Sequence, residues 1–249
     1  IGAYTTGLLA YHWNVPPLVG IAAAVAIAGG IGLALGRIVL RLKGPYLALT
    51  TLSFAEIMRL VISNSIDFTR GDLGLNVPAI LDNRLAYYYL FLGALVAVQL
   101  GLFLMLRARA GLYLQAIRDD ETAAMSRGVR VVRWKTVAFS VSAAISGLAG
   151  ALYAHFALLI SPELGLISQT GLIISMVVIG GMGTLIGPVV GAFLVYIASE
   201  MLRDVGGYQL VVFALLVIVF ARFFREGLWG LLRRAFRPPA ARATATGGD

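Results

Sequence analysis

The sequence contains no cysteine and only two histidines, His12 and His155, in 249 residues. That excludes a disulfide framework, a cysteine redox or zinc site and a histidine metal cluster. Charge is scarce as well: 13% of residues are charged against 59% hydrophobic, with a mean hydropathy of +0.88, far from the globular balance. A nucleotide site is also missing. A P-loop needs Gly-Lys-Ser/Thr with a further glycine upstream, and the two lysines, Lys43 and Lys135, follow Leu42 and Trp134 instead. The chain opens on Ile1 inside an apolar stretch and reads as an N-terminally truncated fragment.

What is abundant is apolar sequence in long runs. A hydrocarbon core about 30 Å thick takes about 20 apolar residues per helix. On that measure about seven spans are expected, at residues 17–40, 45–66, 86–106, 136–160, 168–182, 187–202 and 207–222. The fold class that follows is an all-α membrane protein, a polytopic helical bundle over residues 1–237. The tail 238–249 (PPAARATATGGD) is low in complexity and is expected to be disordered and cytoplasmic.

The net charge of +8 has a place in this layout. All basic residues except Arg59, Arg70, Arg84 and Arg203 gather at one set of span ends, around 37–43, 107–135 and 222–242. By the positive-inside rule those ends are cytoplasmic, so orientation explains the charge and nucleic acid is not needed. The loop 64–85, rich in Gly, Asn, Asp and Pro, falls on the outer side and reads as ordered.

The cytoplasmic loop 107–135 has the pattern of a short capped helix. Asp119 or Asp120 suits its start, where a carboxylate meets the backbone N–H groups and the positive dipole end, and Gly128 suits its end. Ala123 and Ala124 leave a smooth face, and an arginine at Ala124 is expected to disrupt its seating on a partner. The other reading of the segment is an amphipathic helix on the lipid surface.

Glu121, Ala123, Ala124 and Gly128 resemble the EAA-type coupling loop of ABC importer permeases, with Thr122 where an alanine is usual and no Ile-x-Leu-Pro portion downstream. RLKGPYLALTTLSFAEIMRLV (41–61), TRGDLGL (69–75), AFSVSAAISGLAGALYA (138–154) and MVVIGGMGTLIGPVVGAFLV (176–195) together resemble the LivM-type permeases of branched-chain amino-acid ABC importers. The resemblance implies a LivM/LivH-like helical bundle with further N-terminal spans. It also implies a LivH-like permease partner, two ABC ATPase subunits that bind the ATP and Mg, and an external solute-binding protein. This chain is then expected to bind no cofactor or metal of its own and to be no enzyme.

Within the spans, Glu56 and Arg59 share a helical face at i and i+3, as a self-neutralising pair or as part of a substrate path, and Thr50, Thr51 and Ser53 on the same helix would line a weakly polar path. The glycine-rich break contains Gly180, Gly181, Gly183, Gly187, Pro188 and Gly191 and no charge. It reads either as a hinge bordering the passage or as close packing through small residues. His155 reads as a hydrogen-bonded packing residue, with a ligand or proton relay as the alternative. Glu163 reads as solvated or as a binding-protein contact, and Glu200 with Arg203 as an interfacial pair.

Three functional classes remain to be weighed. An intramembrane hydrolase needs convergent catalytic groups, and Glu56 is the one carboxylate well inside a span. An ATP-independent carrier or channel is expected to bury more acidic residues or to carry a filter. A permease subunit of the bacterial inner membrane needs neither. Its cargo, on the resemblance, is a branched-chain amino acid, with urea or short amides as the alternative.

Overall fold

The computed structural model describes residues 1–42 and 44–201. Its helices are α1 (Gly2–Trp13), α2 (Pro17–Val39), α3 (Pro45–Asn64), the single turn α4 (Ile66–Thr69), α5 (Arg84–Arg107), α6 (Arg109–Asp119), α7 (Glu121–Ser126), α8 (Val131–Ala157), α9 (Ile167–Gly180) and α10 (Gly187–Met201). Two short strands, β1 (Leu75–Asn76) and β2 (Leu159–Ile160), pair antiparallel, Leu75 opposite Ile160. Among the described residues four helices, α2, α3, α5 and α8, are long and apolar enough to cross a membrane. The expected span at 207–222, the tail 238–249 and Arg203 lie outside the described residues.

The described residues divide into two compact units, with the division after Ile167. The centre of the first is α2 packed against α8, with α1 beside both. Lipid tails are as apolar as leucine, so helices in a bilayer are held by close contact and interhelical hydrogen bonds rather than by exclusion of water. The sequence of this pair suits that requirement. A Cβ added at Gly32 would lie 2.5 Å from Cβ of Ala143 and 3.1 Å from Cα of Ser140, and one at Gly147 would lie 2.5 Å from Cβ of Ala28. Across the same contact the Ser140 hydroxyl donates to the Gly29 carbonyl at 2.7 Å.

Both boundaries of the span expected at 136–160 move. The span expected from 136 begins at Val131, because Val131 is an inward-facing residue, 4% exposed, in a small cluster with Ile117 and Ala124. It ends at Ala157 rather than 160, because Leu158 turns left-handed (φ 63°) and releases Leu159 and Ile160 to the strand pair.

The loop 64–85 folds onto α1 through that strand pair. Leu75 and Ile160 are fully buried and join Ala3, Tyr4, Val77 and Ala154 in one apolar cluster. Gly71 (φ 52°) makes the turn there, where a side chain would meet the Ser63 carbonyl. In the second unit, α9 has 14 residues, about 21 Å of rise, shorter than the hydrocarbon core. It turns back into α10 as a hairpin, with Ile179 and Val195 buried between the two helices.

Candidate functional site

The segment 107–135 is more structured than one capped helix. Ala108 is extended and breaks α5 from α6, and Asp120 is extended and breaks α6 from α7. Of the two carboxylates that suit the cap, Asp119 is the last residue of α6 and Asp120 is the cap of α7. Its Oδ1 accepts from the backbone N–H of Thr122 at 2.8 Å and of Ala123 at 3.0 Å. The other end closes on Gly128 (φ 81°), whose N–H donates to the Met125 carbonyl at 2.9 Å while Val129 N–H donates to the Ala124 carbonyl at 3.1 Å. Six residues are too few for a stable isolated helix, so these caps and the packing beneath hold it.

That packing decides which face is free. Ala124 is 4% exposed and sits against Ile117 and Val131, with Val129 and Trp134 alongside. Trp134 stacks on Tyr113, ring centroids 5.0 Å apart, and Lys135 Nζ pairs with Glu121 Oε2 at 2.6 Å. The outward face is therefore Thr122, Ala123, Met125 and Ser126. This corrects the expectation that Ala123 and Ala124 share one smooth outer face. A helix places neighbours about 100° apart, and the inner position goes to Ala124, where an arginine would disrupt the loop's own packing before touching a partner. The Glu121–Lys135 pair, with partners 14 positions apart and on two elements, left no periodic signal to find.

On α3 the four residues Thr50, Ser53, Glu56 and Arg59 follow one i, i+3 ridge, and no residue of this helix is buried within the chain. The Thr50 hydroxyl donates to the Tyr46 carbonyl at 2.8 Å and that of Thr51 to Ala48 at 2.9 Å, so both threonines turn their polarity back into their own helix. Arg59 Nε donates to the Glu56 carboxylate at 3.0 Å, and its stem packs against Gly165. The pair is formed, and the ridge shows weakly polar surface rather than open charge.

The glycine break divides by role. Gly180 ends α9, Gly181 (φ 121°) and Gly183 (φ 82°) carry the turn, and Gly187 and Pro188 open α10. A side chain at Gly180 would collide with the Gly187 carbonyl, and one at Gly191 with that of Met176. Backbone in this turn is satisfied locally: the Thr184 hydroxyl donates to the Gly181 carbonyl at 3.0 Å and accepts from Gly187 N–H at 3.1 Å.

A fourth constellation lies at the C-terminal end of α8, and sequence reasoning found one member of it. His155 is fully buried. Nδ1 donates to the Pro78 carbonyl at 2.8 Å, and Nε2 shares a hydrogen bond with the Thr6 hydroxyl at 2.9 Å. The Tyr87 hydroxyl donates to the His155 carbonyl at 2.8 Å and accepts from Ile80 N–H at 2.9 Å. One knot thus ties α1, α5, α8 and the loop 64–85 together. Its partners are up to 149 positions apart in sequence, which is why only the histidine was legible. Among the described residues no group of three His, Asp or Glu side chains is placed to hold a metal.

Comparison with known proteins places this arrangement. The family model described as branched-chain amino acid transport system / permease component matches residues 1–221. The high-affinity branched-chain amino acid transport system permease protein LivM of Salmonella typhimurium is 32% identical over 268 residues, covering 94% of this chain and 62% of the relative. The probable branched-chain amino acid transport permease protein LivM of Methanocaldococcus jannaschii is 25% identical over 78% of this chain and 60% of its own length. LivH of Escherichia coli, a permease protein of the same transport system, is 23% identical over 80% of this chain and 71% of its own. No solved structure matches. The chain spans less than two thirds of the length of these LivM relatives, and it belongs to the family of permease components of branched-chain amino acid transport systems.

Proposed function

We propose that this chain is the membrane-spanning permease subunit of an ATP-driven importer of the bacterial inner membrane, passing branched-chain amino acids delivered by an external binding protein. A LivH-like permease would complete the passage, and two ABC ATPase subunits, which hold the ATP and Mg, would drive it. The observation that carries this reading is α7, a helix capped at both ends and seated on its own small core, with an exposed face of small and flexible side chains. A helix built that way transmits a push without unfolding. Closure of the ATPase pair would shift α7, and Trp134 and Lys135 carry the shift directly into α8.

The ridge Thr50, Ser53, Glu56 and Arg59 would border the passage. A surface whose Thr50 hydroxyl and Glu56–Arg59 charges are already bonded holds cargo weakly, as a passage that must release it requires. The outer loop, anchored by the His155 knot, would receive the binding protein, with Glu163 on the adjoining segment. The glycine hairpin would move as one body, because its contacts leave no room for sliding.

The test is uptake into proteoliposomes by the full-length protein assembled with the neighbouring permease, ATPases and binding protein. Labelled leucine should accumulate only with ATP. Accumulation of urea in place of leucine would move the substrate class, and uptake of either without ATP would remove the importer reading.

A further inference from the structure

A pocket of about 460 Å³ opens between the C-terminal end of α2 and the N-terminal end of α8. Arg37, Arg41 and Arg133 line it together with the apolar Leu33, Val132 and Val137. All three arginines are exposed, and no ion pair or hydrogen bond joins any of them to another described residue. The described ion pairs lie elsewhere, Glu56 with Arg59 and Glu121 with Lys135. Thr136, in the same wall, donates its hydroxyl to the Val132 carbonyl at 2.8 Å, so it does not compete for an incoming group.

The position of this pocket matters as much as its charge. Arg37 falls in the last turn of the apolar helix α2, and Arg133 in the first turns of α8, so the guanidinium groups sit where both helices leave the hydrocarbon. That is the depth of lipid headgroups. Three cations gathered at one spot repel each other unless an anion joins them, and a guanidinium pairs with a phosphate through two parallel N–H···O bonds. The apolar side of the pocket, Leu33 and Val137, lies one turn deeper along each helix and continues towards the bilayer interior.

We propose that this pocket binds the phosphodiester headgroup of an anionic phospholipid, with the three arginines on the phosphate and an acyl chain along Leu33 and Val137. A soluble anion would gain the charge but not the apolar wall. An ATPase subunit would not reach into the hydrocarbon side of it. A lipid fits both halves and would bridge α2 to α8 at the end where α7 passes its movement on.

Native mass spectrometry of the assembled full-length transporter, taken from nanodiscs of phosphatidylcholine with or without phosphatidylglycerol, tests this. The wild type should retain phosphatidylglycerol in preference to phosphatidylcholine. The combined variant Arg37→Gln, Arg41→Gln, Arg133→Gln should retain about tenfold less, and Arg84→Gln, at the opposite end of the spans, should retain as much as wild type. Leu33→Trp keeps every charge and narrows the pocket, and it too should lower retention. If the triple variant does not assemble, Arg41→Gln alone and Leu33→Trp carry the test. Retention unchanged in Leu33→Trp or in the arginine variants would overturn the proposal. So would inorganic phosphate binding with the same arginine dependence in pure phosphatidylcholine, or loss of the ATPase subunits with lipid retention unaltered.

Discussion

Helices α2 and α3 follow one another in the chain, are both long enough to cross a membrane, and differ in what covers them. α2 buries Gly20, Ala24, Ala28, Gly29, Gly32, Gly36 and Val39 within the chain; α3 buries nothing. α5 resembles α3, with Tyr87 its one buried residue. The small residues of α2 let α8 approach to backbone distance, which fixes the pair as the rigid centre. Among the described residues most bulky apolar side chains of α3 and α5 stay uncovered, with Ile62 and Phe91 among the exceptions, and are available to lipid. Hydropathy does not make the separation, because α5 is nearly as apolar as α2 and is still left uncovered. Residue size separates the structural helix from the helix available for a passage.

The sharpest way to break this comparison is to load the packed side. Gly32→Leu should prevent recovery of monodisperse protein, since overpacking against Ala143 and Ser140 costs about 2 kcal/mol or more. Gly30→Leu, two positions away with open space around it, should behave as wild type in the same purification. If Gly30→Leu fails equally, something covers the other side of α2 and the contrast is lost.

On the uncovered side, Glu56→Gln combined with Arg59→Gln should assemble normally, because each half of the pair is removed with its partner. Leucine uptake should nevertheless fall about tenfold if the ridge borders the passage. Full uptake would reduce the pair to self-neutralisation. A smaller effect is expected at the capped helix: Asp120→Ala removes the acceptor for two backbone N–H groups and should destabilise α7 by about 1 kcal/mol, seen as faster amide exchange at Thr122 and Ala123. Smallest of all, Lys135→Met breaks a half-exposed ion pair and should change thermal stability by about 0.5 kcal/mol or less.

How much of this was legible follows from range. The four long helices were readable because hydropathy over about 20 residues needs no tertiary information. A carboxylate cap at Asp119 or Asp120 and the turn at Gly128 were readable because both are local chemistry between residues a few positions apart, whereas the choice of Asp120 needed the break between α6 and α7. The inward direction of Ala124 was not, since it depends on Ile117 and Val131 converging from two other elements. The strand pair was hidden for the same reason: two residues on each side carry no alternation to detect, and the pairing joins positions 75 and 160. The glycines of α2 are scattered through an apolar run and gain their meaning only with α8 opposite them, whereas the crowded break at 180–191 is visible by density alone.

The central claim is that α7 couples this chain to an ATP-hydrolysing partner through its outer face, and Ala123→Arg in the assembled full-length transporter tests it most directly. Ala123 is exposed and the Asp120 cap leaves its side chain free, so the loop should keep its fold, reported by unchanged Trp134 fluorescence. Uptake of leucine should then be lost, while the ATPases either dissociate or hydrolyse ATP without transport. Normal ATP-driven uptake by that variant would contradict the coupling role of α7.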